Sequence, residues 1–473
     1  MSKNKKNTFV ELEIESIGFE GIAIARNEGM VYFVKGGVPG DRVIAKELRK
    51  RKKYREAQVE EIIAPSPDRI DAPCRYFGPC GGCTWQNLKY SKQLEWKRRH
   101  VEDAFTRIGK IEDVEYLETL PSPKQYEYRN KMEFSFGSSR WMTAGEIESG
   151  EDIRQKHFAL GLHIPGRFDK ILDIDECLIH KNYGNKILNT LREKALELGV
   201  SAYNSRAHIG FLRNIIIRTS DANDEIMAAL ITNAVAEAED RVFIDWYENE
   251  FPAALPEIDT VLHAVNDTRS PVASQEMRII NGSGAITEQI LGLDYRISPY
   301  SFFQTNSSQL DGFISLILDY AELTNESAVW DLYCGTGSIT LPASRKCKYI
   351  YGIELSESSV ADARANMQLN NIDNAEFYQA DLHAKDTPAL LDSLPRPDVI
   401  IIDPPRAGMH KNLVDHILAA GAGLIVYVSC NPATQARDCA LLADNYTVEK
   451  IRPVDMFPQT FHVESVALLR RKA

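Results

Sequence analysis

The chain has 473 residues, 44% apolar, 26% charged and 9% aromatic, which excludes a collagenous or wholly disordered protein and suits roughly three domains. Its formal net charge of −12 is unevenly spread: residues 1–110 carry 22 Lys and Arg against 15 Asp and Glu, the remainder 33 against 52. That balance excludes a general DNA coater but suits a nucleic acid gripped at one end. FVELEIESIG, GFEGIAIARNEGMVYFVKG, VPGDRVIAKEL and YREAQVEEII predict about five strands over 8–64, so residues 1–66 are expected to form a small OB-like barrel. Lys46–Arg55 holds seven Lys and Arg in ten positions. It reads either as a solvated hairpin or, on such a barrel, as an RNA-backbone contact.

A Pro-rich linker, APSPDRIDAPC, leads to a predicted helix over 90–110 with Leu94, Val101, Phe105 and Ile108 at helical spacing. That helix could pack on the C-terminal domain, residues 301–473. Residues 67–300 are expected to form a linker and a mixed α+β central domain. Over 301–473 strands alternate with helices, the pattern of a doubly wound, mostly parallel α/β sheet of Rossmann type. No apolar run approaches the ~20 residues of a membrane span. The basic start has no apolar stretch behind it, so a cytoplasmic protein without a membrane partner is expected.

The strongest chemical signals lie at predicted strand ends. Asp331-Leu-Tyr-Cys-Gly335-Thr-Gly337 follows one strand and opens a helix, and the next strand ends in Glu354. Glycines let backbone approach a ligand, and a carboxylate at that strand end can accept ribose hydroxyls. The third Gly of a dinucleotide loop is replaced by Thr340, which fits S-adenosylmethionine better, since it has no pyrophosphate. Asp381 follows the third strand, where it could meet an adenine amino group. Asp403-Pro404-Pro405-Arg406 ends the fourth strand as a rigid ledge in the crevice where open α/β sheets bind substrates.

Cys430, in Ser429-Cys430-Asn431-Pro432, ends the fifth strand and is the candidate nucleophile. Cys334, Cys347 and Cys439 lack that setting and read as structural thiols. Glu464, in Phe461-His-Val-Glu464-Ser, is the candidate base, with His462 as its rival. Cys74-x5-Cys80-Gly-Gly-Cys83 and the distant Cys177 form a four-thiolate set whose spacing leaves both iron–sulfur and zinc open.

These motifs, in this order and over nearly the whole chain, resemble the RNA uracil-5-methyltransferases, most closely the bacterial branch that modifies 23S ribosomal RNA. The resemblance implies a TRAM domain at the N-terminus, a 4Fe-4S cluster on Cys74, Cys80, Cys83 and Cys177 in the linker, and RNA binding by the central domain within 67–300. It also implies a monomer that methylates a specific uridine of structured RNA. Cys430 would be the nucleophile and Glu464 the proton acceptor; Gln304, Tyr333, Glu354 and Asp403, with Asp381, would bind S-adenosylmethionine. Phe302 and Phe303 read either as stacking partners at the mouth or as core. Tyr128-Arg129-Asn130-Lys131 reads as an RNA contact or as surface structure. The segment 138–158 is longer and more acidic than the family's loop. Two alternatives stand beside this reading: the same reaction on transfer RNA, and a non-catalytic RNA-binding assembly factor, against which the intact Cys430 and Glu464 speak.

Overall fold

The computed structural model describes residues 8–149, 156–270, 276–384 and 387–473. At the N-terminus, strands Phe9–Ile17, Ala23–Asn27, Met30–Lys35, Arg42–Lys50 and Tyr54–Ala64 close a barrel, the first pairing with the fourth. Period-two alternation turns Leu12, Ile14, Val34 and Val43 inward, while Ala23, Ala25, Ala45 and Ala57 keep the interior narrow. The basic run is not a separate loop. It continues through the ends of the last two strands, where Lys50 pairs with Glu47 at 2.8 Å and Arg49 faces Glu56 at 3.9 Å. Arg51, Lys52 and Lys53 are exposed at the turn.

The predicted helix forms over Tyr90–Ala104 and continues as a wider turn, Phe105–Gly109. Its buried face differs from the expected apolar stripe. Gln93, Lys97 and His100 are buried with Val101 and Phe105, and Ile108 is exposed. The helix lies against both the barrel and the C-terminal sheet: His100 Nε2 meets the Ile17 carbonyl at 3.0 Å, and Lys97 pairs with Asp455 at 2.5 Å. The chain then adds a short strand, Glu115–Tyr116, to the edge of the C-terminal sheet.

The central region is an eight-stranded sheet in which Lys131–Gly137 lies between Leu212–Thr219 and Ala159–Ile164. Helices Asn182–Leu198 and Ala238–Asn249 bury Leu188, Leu191 and Phe243 against it. The C-terminal sheet runs in the order Ala375–Gln379, Tyr349–Glu354, Ala328–Leu332, Val399–Ile402, Leu424–Ser429, followed by antiparallel Glu464–Arg471 and Tyr446–Val454. Strand order reverses beside Ala328–Leu332, which opens the crevice at the carboxyl ends of the parallel strands. A hairpin, Ile286–Ile290 with Leu293–Ile297, joins the same core; its Asp294 and Arg296 amides donate to Asn370 and Asn366. Among the described residues no helix is long and apolar enough to cross a membrane.

Candidate active site

Gln304, Tyr333, Glu354, Asp381, Asp403, Cys430 and Glu464 all line one cavity of about 700 Å³ above the parallel strand ends. Asp331 lies inside its strand and is fully buried, taking the Thr340 hydroxyl at 2.5 Å while its other oxygen has no partner. Burial pushes its carboxyl up to about 7. The chain then turns sharply through Tyr333 at φ +67°, Gly335 at +55° and Gly337 at +83°. A Cβ at Gly337 would be strained by that positive φ and would also crowd the Phe377 ring at 3.2 Å. The helix that follows spans Thr340–Ser344.

Glu354 braces this loop. Its two oxygens accept the Gly335 amide at 3.1 Å and the Ser356 amide at 2.8 Å, and each keeps a further lone pair. A carboxylate fixed this way can accept a pair of vicinal hydroxyls. Asp381, just past its strand, accepts the His383 amide at 2.9 Å. Tyr333 meets the His383 ring at 3.1 Å, and burial raises its hydroxyl's pKa. Carboxylates, an amide and a glycine turn around a roomy cavity form a donor set suited to an adenosyl amino acid.

Cys430 and Glu464 meet through sheet register. The antiparallel pair Ser429↔Ser465 is the last of its ladder, so the two residues just beyond it face each other at the same sheet end. Burial pushes the Cys430 thiol up to about 11, with Glu464 and Asp403 adding to the rise and Arg406 opposing it. Burial and Asp403 likewise hold the Glu464 carboxyl well above the usual carboxylate range. Such a carboxylate, once ionised, is a stronger proton acceptor than an ordinary one. His462 precedes the strand rather than belonging to it, and burial pulls it down to about 4, which makes it the weaker base.

Arg406 was legible as part of a motif, but its role was not. Its carbonyl is fixed by Asn431 at 3.1 Å and Thr434 at 3.2 Å, and its guanidinium reaches His462 at 3.5 Å. It is the cation that lowers both Cys430 and Glu464. The loop Asp455–Val463 leading into Glu464 was also missed. Lys97 donates to Asp455 and to the Phe457 carbonyl at 3.0 Å, and Tyr128 donates to the Pro458 carbonyl at 3.1 Å. Gln459, at φ +67°, exchanges hydrogen bonds with Gln93, and its carbonyl accepts the amides of Thr84 and Trp85. No local sequence signal marks these partners, because they lie more than 300 positions away.

Phe302 and Phe303 differ in setting. Phe302 is 63% exposed at the cavity, while Phe303 is 3% exposed in the core against Tyr295. Tyr128–Lys131 is mostly a joint: Asn130 donates to the Gln304 carbonyl and to Ser307, and only Arg129 lines the cavity. In the segment 138–158, Arg140 pairs with Glu146 and Asp173, and residues 150–155 lie outside the described residues. Cys74, Cys80, Cys83 and Cys177 line one small pocket as free thiols. Burial raises all four, Cys83 to about 12 and Cys177 to about 11, and neighbouring Cys80 and Cys74 add to both. Among the described residues no three His, Cys, Asp or Glu are drawn together as a metal-holding group. Cys334, Cys347 and Cys439 are buried.

Residues 286–472 match the family model described as tRNA (Uracil-5-)-methyltransferase. A protein of Chlorobaculum tepidum named an uncharacterized RNA methyltransferase is 40% identical, covering 99% of this chain and 97% of its own. One of Bacteroides thetaiotaomicron with the same name is 42% identical over 95% of this chain and 99% of its own. Among solved structures, a Pyrococcus abyssi tRNA (uracil-54, C5)-methyltransferase in complex with S-adenosyl-L-homocysteine superposes with a TM-score of 0.74 at 29% identity. It covers 97% of this chain and 100% of its own. The full-length match to these relatives and the uracil-5 family model over the C-terminal region, on a fold whose strand-end cavity suits an adenosyl amino acid, make this chain a member of the RNA uracil-5-methyltransferase family and an S-adenosylmethionine-dependent enzyme.

Proposed function

We propose that the protein methylates carbon 5 of a specific uridine in 23S ribosomal RNA through a covalent adduct with Cys430. The observation that carries this reading is the side-by-side setting of Cys430 and Glu464 in the cavity lined by Gln304, Tyr333, Glu354, Asp381 and Asp403. Those five residues would hold S-adenosylmethionine, which supplies an electrophilic methyl group on a positively charged sulfur. A base within a stack must first be extruded into the cavity, and exposed Phe302 can stack at its mouth. The Cys430 thiolate adds to carbon 6, and the electrons of the 5,6 double bond shift toward oxygen 4, assisted by Arg406 as the nearby cation. Carbon 5 then takes the methyl group as its bond to sulfur breaks, the electron pair staying on the departing sulfur as a neutral thioether. Glu464 removes the proton left on carbon 5, the double bond re-forms, and Cys430 leaves as thiolate.

The four thiols suit a 4Fe-4S cluster by their chemistry. Burial disfavours their free thiolates, and a cationic centre would supply the missing counter-charge. Cys74, Cys80, Cys83 and Cys177 would then join the linker to the central sheet, a structural task, since the covalent chemistry needs no redox step. The barrel would act as a TRAM domain, with Arg51, Lys52 and Lys53 on RNA phosphates.

A second reading, methylation of transfer RNA, is favoured by the name of the Pyrococcus relative. Mass-spectrometric mapping of 5-methyluridine in cells with and without the gene separates the two. Loss of a modified position in 23S RNA is expected. Loss only from transfer RNA would select the second reading, and no loss anywhere would overturn both.

A further inference from the structure

Residues 298–306 join the hairpin strand Leu293–Ile297 to the helix Ser307–Ala321 and carry Phe302 and Gln304 into the catalytic cavity. They form no strand or helix of their own. Their backbone is held instead by side chains from distant parts of the chain. The Phe302 carbonyl accepts the hydroxyl of Thr336, in the glycine turn, at 3.4 Å. The Gln304 carbonyl accepts Asn130 Nδ2 at 2.9 Å, and the Thr305 carbonyl accepts the Asn130 amide at 2.9 Å.

The strongest hold comes from Arg218. It stands in the strand Leu212–Thr219, directly after the apolar run Ile215–Ile217, and is 2% exposed. Arginine is rarely buried so fully without a partner. Here its acceptors are backbone carbonyls: Nε donates to Pro299 at 3.2 Å and Nη2 donates to Ser301. Burial pulls the guanidinium down to about 10, with Asp362 opposing the fall, so it stays charged at neutral pH. Asp362 approaches from the other side, on the helix Glu357–Leu369 beside the C-terminal sheet. It accepts the hydroxyls of Ser298, at 3.3 Å, and of Ser301. The turn at 298–301 therefore lies between a cation that takes its carbonyls and a carboxylate that takes its hydroxyls. Charge-assisted bonds of this kind are roughly twice as strong as neutral ones.

We infer that Arg218 is a positioning residue, setting from the central sheet where Gln304 stands in the cofactor cavity. The inference rests on the proposed cofactor role of Gln304. Three residues can span at most about 10 Å, so the chain between the Ser301 and Gln304 anchors has little slack. Without the guanidinium, the buried Pro299 and Ser301 carbonyls lose their donor, and the turn shifts to recover one. Gln304 lines the cavity and Arg218 does not. The loss therefore falls on cofactor binding rather than on the methyl-transfer step.

Amide hydrogen exchange and calorimetric titration with S-adenosyl-L-homocysteine, both on the full-length protein, test this. In Arg218→Met the amides of 298–306 are expected to exchange roughly tenfold faster, with those of the central strands unchanged. S-adenosyl-L-homocysteine should bind roughly tenfold more weakly to Arg218→Met and to Gln304→Ala, and no more weakly still to the double variant. The KM for S-adenosylmethionine should rise by the same factor while kcat stays near wild type. Arg218→Lys keeps the charge but not the planar fork and should lose roughly threefold in affinity; it decides the question by the same cycle where Arg218→Met fails to fold. Three results would overturn the positioning role: wild-type exchange over 298–306 in each folded Arg218 variant, wild-type affinity where Gln304→Ala loses it, or losses that add in the double variant. Wild-type affinity in Gln304→Ala removes the cofactor role of Gln304 instead, and exchange over 298–306 then decides whether Arg218 holds the turn.

Discussion

Replacing Cys430 by Ala is expected to abolish methyl transfer while leaving RNA and cofactor binding close to wild type. The loss should be on the order of 10⁵–10⁶-fold in kcat, the scale of losing a covalent nucleophile. Without addition to carbon 6, carbon 5 lacks the electron density to attack the methyl group. The pH dependence follows from the same residue. A thiol pushed up to about 11 is almost wholly protonated at neutral pH, and its reactive thiolate increases as pH rises toward that value. Alkylation of Cys430, followed by peptide mass spectrometry, should therefore speed up about tenfold per pH unit between pH 7 and 10. Arg406→Ala should slow it at every pH in that window, because it removes the cation that favours the thiolate. A plateau near pH 8 would contradict this assignment of the thiol's environment.

Replacing Lys97 by Met is expected to cost about 3–5 kcal/mol of stability, the penalty of leaving a buried ion without its partner. Lys97 and Asp455 are both fully buried, and the second Asp455 oxygen already lacks a partner. The ammonium also holds the Phe457 carbonyl, so the loop that leads to Glu464 loses its anchor. Activity should fall through kcat at permissive temperature, before the protein unfolds. Denaturant titration checks the size of the loss. The double variant Lys97→Met/Asp455→Leu should recover much of the stability, because removing both charges leaves no stranded ion. A double variant no more stable than Lys97→Met would show that packing, not charge, dominates the site.

The strand-end motifs were legible because their signals are local. A Gly turn, a carboxylate at a strand terminus and Pro-Pro after an apolar run each declare their geometry within ten residues. Glu464 and Cys430 were legible as strand-end residues too, although only the register Ser429↔Ser465 makes them neighbours. The helix Tyr90–Ala104 was misread on its faces for a physical reason. Periodicity assigns Gln93, Lys97 and His100 to solvent, whereas each has a buried partner supplied by the C-terminal loop or the barrel. The Phe302–Phe303 pair could not be divided from sequence, since adjacent aromatics in a loop carry no period.

The central claim is that Cys430 bonds to the uracil and Glu464 releases it. Incubating Glu464→Gln with labelled RNA and methyl-labelled S-adenosylmethionine, then separating the products on a denaturing gel, tests it most directly. The amide cannot take the proton from carbon 5, so elimination of the cysteine should stall after transfer. A slow-migrating protein band carrying both labels is the expected result, absent from Cys430→Ala and from Cys430→Ala/Glu464→Gln. Release of methylated RNA by Glu464→Gln at the wild-type rate, with the double-labelled band accumulating in His462→Ala instead, would contradict the account and make His462 the base.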